Sequence, residues 1–434
     1  MMRIRDRLLK GTALNLIAVV FSQGSTLVAN IIVARLLLKQ GFGEYAMVQT
    51  TLLTLVVLSQ LATGSAAARY IAEYRVKDPL RAGCVMGLCA LVSVIMAGSG
   101  AILIIIISPW LADVMLNAPH LADALIIGAG FIFFSAINGY QMGALSGLEA
   151  FGSLAKAGVV SGIFAIVAIS FCAWYGGLNG ALLGLSISAF VRCAVHYWWL
   201  KLESHVAGIK LQYSGSMRQE KVVICKFMLP VAIAQFYSPP MIWLASSFLV
   251  RQPDGYGEMA LYSAANSLRI LVLFLPSVLN NVGLSVLNNE LAKGNTLNYH
   301  RVFKSNVLYI FLSSLCGILI IGFLGRPLLQ IFGRDFVSGN AILWFLLISS
   351  LFEALTIAFY QYIIAKVKMW IQFIGIVVPR EALLVAAAYC FVPLYGGLGL
   401  AIAFMGAAVL GAILHLLLVV SLYKKSIQYS EGLE

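Results

Sequence analysis

The chain has 434 residues, 61% of them apolar and 11% charged, with a formal net charge of +12. Ordinary soluble domains hold roughly 45–50% apolar and 25% charged residues, so a water-soluble fold is excluded and no room remains for a large soluble domain. At about 20 residues per crossing, the composition describes an all-α polytopic membrane protein.

Apolar stretches bounded by charge or Gly/Pro clusters predict twelve spans. In chain order they lie at 11–34, 46–67, 83–107, 122–145, 157–174, 178–200, 226–249, 260–285, 305–325, 340–364, 372–392 and 398–422. The basic N-terminus MMRIRDRLLKG leads into a segment carrying Asn15, Gln23 and Asn30 without a small-residue cleavage site. It is therefore read as a retained first helix rather than a signal peptide. The longest polar stretch, 201–225, is read as a linker between an N-terminal six-helix lobe at 1–200 and a C-terminal one at 226–434.

Cytoplasmic loops retain positive charge. With the N-terminus inside, the inner segments carry 21 Lys and Arg, and the outer segments carry five: Arg35, Lys39, Arg251, Arg326 and Arg334. That asymmetry predicts both termini in the cytoplasm and accounts for the net charge without nucleic acid. The seven cysteines are scattered along apolar segments as small core residues, and the five histidines share no metal-ligand or catalytic spacing, so no metal or cofactor is expected.

Two motifs occur twice. GFGEYA at 41–46 returns as GYGEMA at 255–260, and YGGLNGA at 175–181 returns as YGGLGLA at 395–401. Copies with an even number of spans enter the membrane in the same sense, so the lobes are expected to be related by an axis along the membrane normal. The glycines of the first motif are expected to turn the chain at the outer mouth. Those of the second are expected to open a span and let helices approach closely.

An ionisable group deep in a span costs at least roughly 2.5–3.5 kcal/mol on insertion scales, and usually faces a partner or a wet cavity. Arg269 lies about nine residues, or ~14 Å, inside its span, on one helical face with Asn266, Ser277 and Asn280. Arg380 is similarly deep, whereas Arg192 lies near enough to an end to snorkel. Ser349, Glu353, Thr356 and Tyr360 share another face, which makes Glu353 a candidate for carrying a coupling proton or balancing an arginine. Glu381, the second coupling candidate, follows Arg380 directly and is expected to point about 100° away from it. Ser135, Asn138 and Gln141 in the fourth span are expected to form helix-to-helix hydrogen bonds. Arg35 and Lys39 add positive charge near the outer mouth. Arginine forks match phosphate oxygens, so a phosphate or diphosphate is the expected ligand of a cationic cavity.

The stretches GFGEYA, RYIAEYR at 69–75, GLEAF at 147–151 and YGGLNGALLG at 175–184 resemble the polysaccharide-exporter branch of the multidrug/oligosaccharidyl-lipid/polysaccharide (MOP) exporter superfamily, close to O-antigen (Wzx-type) flippases. The resemblance implies a V-shaped, two-lobed bundle with a central cavity in the bacterial inner membrane. Such a bundle moves an undecaprenyl-diphosphate-linked oligosaccharide from the cytoplasmic to the periplasmic leaflet by alternating access. It also implies a polysaccharide polymerase and chain-length machinery as neighbours. Two alternatives stand beside it. A cation-coupled multidrug exporter would place a carboxylate inside the first lobe, and in spans 1 to 6 the only acid is Asp123, at the outer edge of the fourth. A polymerase or ligase would need a positioned acid, base or nucleophile, which these short outer segments do not offer, so no enzymatic activity is expected.

Overall fold

The computed structural model describes residues 4–211, 228–292, 296–365 and 369–431, which are helical almost throughout. The helices are α1 (Ile4–Gln60), α2 (Thr63–Tyr74), α3 (Pro79–Trp110), α4 (Ala122–Ile127), α5 (Ala129–Gly147), α6 (Phe151–Val206), α7 (Leu229–Phe236), α8 (Ser238–Val250), α9 (Gly255–Ala292), α10 (Thr296–Phe323), α11 (Gly325–Phe332), α12 (Asn340–Ala365), α13 (Met369–Gln372) and α14 (Val378–Glu431). Part of the predicted linker, from residue 212 onward, lies outside the described residues.

Seven helical segments among the described residues are long and apolar enough to cross a membrane, or eight if the bent pair Pro119–Ile127 and Ala129–Gly147 makes one span. The difference from twelve has a geometric cause. At 1.5 Å per residue, the 56 residues of α6 would extend about 84 Å, against ~30 Å of hydrocarbon. Each of the three longest helices is instead a pair joined by a sharp break: at Leu38 in α1, at Gly176 and Gly177 in α6, and at Gly396 in α14. Dividing these three and including the short pair α7–α8 gives twelve crossings among the described residues, six on either side of 212–227.

The two glycine breaks share one conformation, φ 57 and ψ −134 at Gly177 against φ 55 and ψ −131 at Gly396. A Cβ disfavours this backbone geometry. The duplication is therefore visible in the turn geometry, although the break falls on the second glycine of one YGGL copy and the first of the other. The GxGE glycines behave differently from expectation. The left-handed residues at these corners are Leu38 and Asp254, at φ 60 and φ 53, while Gly41 and Gly255 lie within helices. In the second copy, a Cβ on Gly255 would overlap the carbonyls of Leu249 and Val250, and one on Gly257 would overlap the Asp254 carboxylate. Here the first motif permits close approach and leaves the turning to other residues.

The chain divides into two compact units, Met1–Trp243 and Leu244–Glu434. In the first, α3 starts on a built cap: Asp78 accepts the Arg81 N–H at 3.0 Å, and Pro79 occupies the first helical position. Arg75 pairs with Glu149 and donates to the Leu148 carbonyl at 2.9 Å, which fastens the end of α2 to the end of α5. A core of Ala66, Ile71, Met86, Tyr140, Leu145 and Leu200, among others, packs around that junction. In the second unit, Tyr299, Phe303, Tyr362 and Ile376 form a core that ties α10 and α12 to the segment leading into α14. The cysteine expectation holds at Cys84 and Cys89, which are buried, but Cys316 and Cys390 are exposed on their apolar helices.

Candidate functional site

Three helices of the second unit bring their charged residues to one place. Arg269 on α9 donates through Nη1 to Glu353 Oε2 on α12, and its Nε donates to Asn266 Oδ1 at 2.9 Å, one turn earlier on α9. Its guanidinium carbon lies 4.6 Å from the centre of the Phe404 ring on α14, so the flat cation is held by two polar partners and one aromatic face. Arg380 on α14 approaches the other carboxylate oxygen, with Nη2 3.9 Å from Glu353 Oε1. Glu353 is thus shared between the two arginines.

Glu381 departs from the sequence expectation. Its Oε1 lies 3.8 Å from Arg380 Nε, because the long arginine stem can turn its head toward the neighbouring carboxylate although the Cα–Cβ bonds diverge. The Glu381 side chain is fully buried, while Glu353 and Arg380 keep 18% and 23% of their side-chain exposure. The cluster holds two cations and two carboxylates, so the positive surplus expected of the span charges is balanced here.

Other expected residues are distributed differently. Ser277 turns its hydroxyl back onto the Leu273 carbonyl, and Ser349 bonds the Leu346 carbonyl. Neither hydroxyl therefore joins the charged cluster. Asn280 lies on α9 beyond Ser277, half-buried. Arg35, Lys39 and Arg192 belong to the first unit. Arg35 is exposed and Lys39 half-buried, on either side of the Leu38 break. The buried Arg192 Nε has no hydrogen-bond partner among the described residues, while the Arg192 carbonyl accepts from His196 Nδ1 at 2.8 Å. In the same unit Asn138 donates to Gln141 at 3.3 Å, and Gln141 donates to Cys193 Sγ at 3.4 Å. That second bond is the helix-to-helix contact expected of span four.

Sequence reasoning missed the far wall of the cluster. Phe404 covers Arg269, and Gly411 leaves space for Arg380, since a Cβ there would stand 3.1 Å from Arg380 Cδ. The buried His415 bonds the Gly411 carbonyl through Nδ1 at 2.8 Å. Positions 404, 411 and 415 share one helical face, a spacing that marks this wall in the sequence. Tyr262, buried on α9, completes the surroundings near Arg269 and Glu353.

Residues 8–287 match the sequence model of the family described as polysaccharide biosynthesis protein. The chain belongs to that family. It is 24% identical over 396 residues to the EPS I polysaccharide export inner membrane protein EpsE of Ralstonia solanacearum, covering 89% of this chain and 87% of the relative. The EpsE of Ralstonia nicotianae is 24% identical over 409 residues, or 93% and 91% of the two chains. Among solved structures, the inward-facing conformation of a multidrug resistance MATE family transporter of the MOP superfamily aligns with a TM-score of 0.79 at 18% identity, covering 96% and 99% of the chains. The Vibrio cholerae MATE transporter VcmN aligns with a TM-score of 0.68 at 14% identity, covering 97% of each. Family and fold together describe a polytopic helical membrane protein of the polysaccharide biosynthesis family, with the fold that these MATE family transporters share.

Proposed function

We propose that this chain is a flippase of the bacterial inner membrane that moves an undecaprenyl-diphosphate-linked oligosaccharide, an O-antigen or related repeat unit, from the cytoplasmic to the periplasmic leaflet. The observation that carries the reading is the convergence of Arg269 and Arg380 on Glu353 in a family whose curated relatives are named as polysaccharide export inner membrane proteins. Two guanidinium forks inside a helical unit are suited to a diphosphate, and Asn266 orients one of them. The lipid tail remains in the bilayer while the hydrated glycan follows the headgroup, and the site is exposed to each leaflet in turn. In this reading both termini and the 201–225 linker between the lobes 1–200 and 226–434 are cytoplasmic. Arg35, Lys39 and Arg192 supply further positive charge along the path, and a polysaccharide polymerase with its chain-length machinery receives the product.

A cationic-drug exporter would use a buried carboxylate in the first lobe. Among the described side chains of Met1–Trp243, none of the acidic ones is buried. The deciding experiment deletes the gene and assays lipid-linked intermediates. Complete repeat units should accumulate on the cytoplasmic leaflet. Normal surface glycan together with raised drug accumulation would overturn the flippase reading in favour of the multidrug one.

A further inference from the structure

A diphosphate diester brings two negative charges to a place where, among the described residues, Arg269 and Arg380 are already matched by Glu353 and Glu381. Simple addition would leave uncompensated charge in a low-dielectric interior, which is strongly unfavourable. At least one carboxylate must therefore give way, and the geometry distinguishes the two. Glu381 is fully buried. Glu353 keeps partial exposure and holds both arginines, one through each oxygen, which is the pairing two phosphate oxygens would make.

Among the described residues the groups around Glu353 are few. Helix α9 presents Arg269 and Tyr262, and α14 presents Arg380, Glu381 and His415, whose Nδ1 is engaged by the Gly411 carbonyl. Tyr360 lies two turns along its own helix. On the α10 side Ile310 packs against Ala354 and Ala358, with the buried uncharged Asn306 and Ser314 one turn to either side of it. No further cation among these is placed to receive the carboxylate once it leaves the arginines.

We propose that Glu353 is a displaceable counter-ion: phosphate oxygens of the cargo take its place on Arg269 and Arg380, and the displaced carboxylate takes up a proton from the bulk solution, relayed through entering water. The balance is one carboxylate and one proton converted to one carboxylic acid, so each anion bound brings about one proton into the lobe. When the anion departs, Glu353 loses that proton and re-forms its contacts with the arginines. The inference rests on the diphosphate reading above.

The test uses full-length protein in nanodiscs and a short-chain prenyl-diphosphate-sugar, whose phosphates are diesters and do not titrate near neutrality. Calorimetry in two buffers of different ionisation enthalpy counts the protons. Wild type should take up about one proton per ligand and lose affinity about tenfold per pH unit once Glu353 is ionised in the free protein. Glu353→Gln should bind without proton uptake and without that pH dependence. Wild-type binding with no proton uptake overturns the counter-ion assignment alone, and so does a Glu353→Gln protein that retains the uptake. No binding by folded wild type overturns the diphosphate reading and this inference with it. If Glu353→Gln does not fold, the wild-type proton count decides.

Discussion

Glu258 Oε2 accepts a hydrogen bond from the backbone N–H of Gly397 at 3.1 Å, across 139 residues of sequence. The acceptor belongs to the second copy of GxGE and the donor to the second copy of YGGL, so the two repeated motifs meet at one end of the Leu244–Glu434 unit. The contact needs a glycine, since a Cβ on Gly397 would stand 2.9 Å from Glu258 Oε2 and 3.0 Å from Ile342 Cδ1. The first unit makes a different contact. There Glu44 pairs with His120 at 3.2 Å, so the equivalent carboxylate serves a surface loop.

Removing the acceptor should therefore be costly in the second unit. Glu258→Ala leaves the amide of the buried Gly397 without its charged partner and should destabilise the protein by about 1–3 kcal/mol. Glu258→Gln, which keeps an acceptor oxygen, should lose less. Unfolding of the detergent-purified variants measures both, and equal losses would show that the hydrogen bond is not the stabilising feature.

The glycine breaks allow a cleaner comparison. Gly177 has open space around it, so Gly177→Ala should cost only the backbone strain of a left-handed residue, about 1–3 kcal/mol. Gly396→Ala adds a Cβ 3.3 Å from Glu258 Oε2 and should lose more. The ranking of the two melting temperatures checks this.

Arg269 and Glu353 should behave as a coupled pair. Each single alanine variant leaves a partly buried charge short of a partner, at about 3–5 kcal/mol, whereas the double variant should cost less than the sum by about 0.5–3 kcal/mol. A double-mutant cycle on unfolding in mixed micelles reads the coupling directly. Additivity would mean that the contact carries no energy.

For transport, Arg269→Ala combined with Arg380→Ala should reduce glycan export at least tenfold while the protein still inserts. The assay is surface glycan per unit of membrane-inserted protein in the deletion strain. Full export by the double variant would remove these residues from the substrate path.

By contrast, Gln141→Leu should have little effect on stability. Its bond to Cys193 Sγ is an interhelical contact of the kind worth about 0.6 kcal/mol on average in membranes. A loss of several kcal/mol on unfolding in mixed micelles would show that the buried Asn138–Gln141 pair has a larger role.

The sequence alone determined everything that depends on local periodicity and on transfer from water to lipid. The crossings, the duplicated motifs and the depths of Arg269, Glu353 and Arg380 follow from residue spacing, because hydrophobic runs and helical faces repeat over a few residues. The wall formed by Phe404, Gly411 and His415 was written in the same spacing, but nothing local distinguishes a face that packs on an arginine from one that packs on lipid. Only the tertiary structure decided which groups meet. Arg269 and Glu353 are 84 positions apart, and their pairing depends on how α9, α12 and α14 cross. The same packing turned an expected surplus of positive charge into a balanced cluster, because a buried charge takes the nearest opposite partner that the fold supplies.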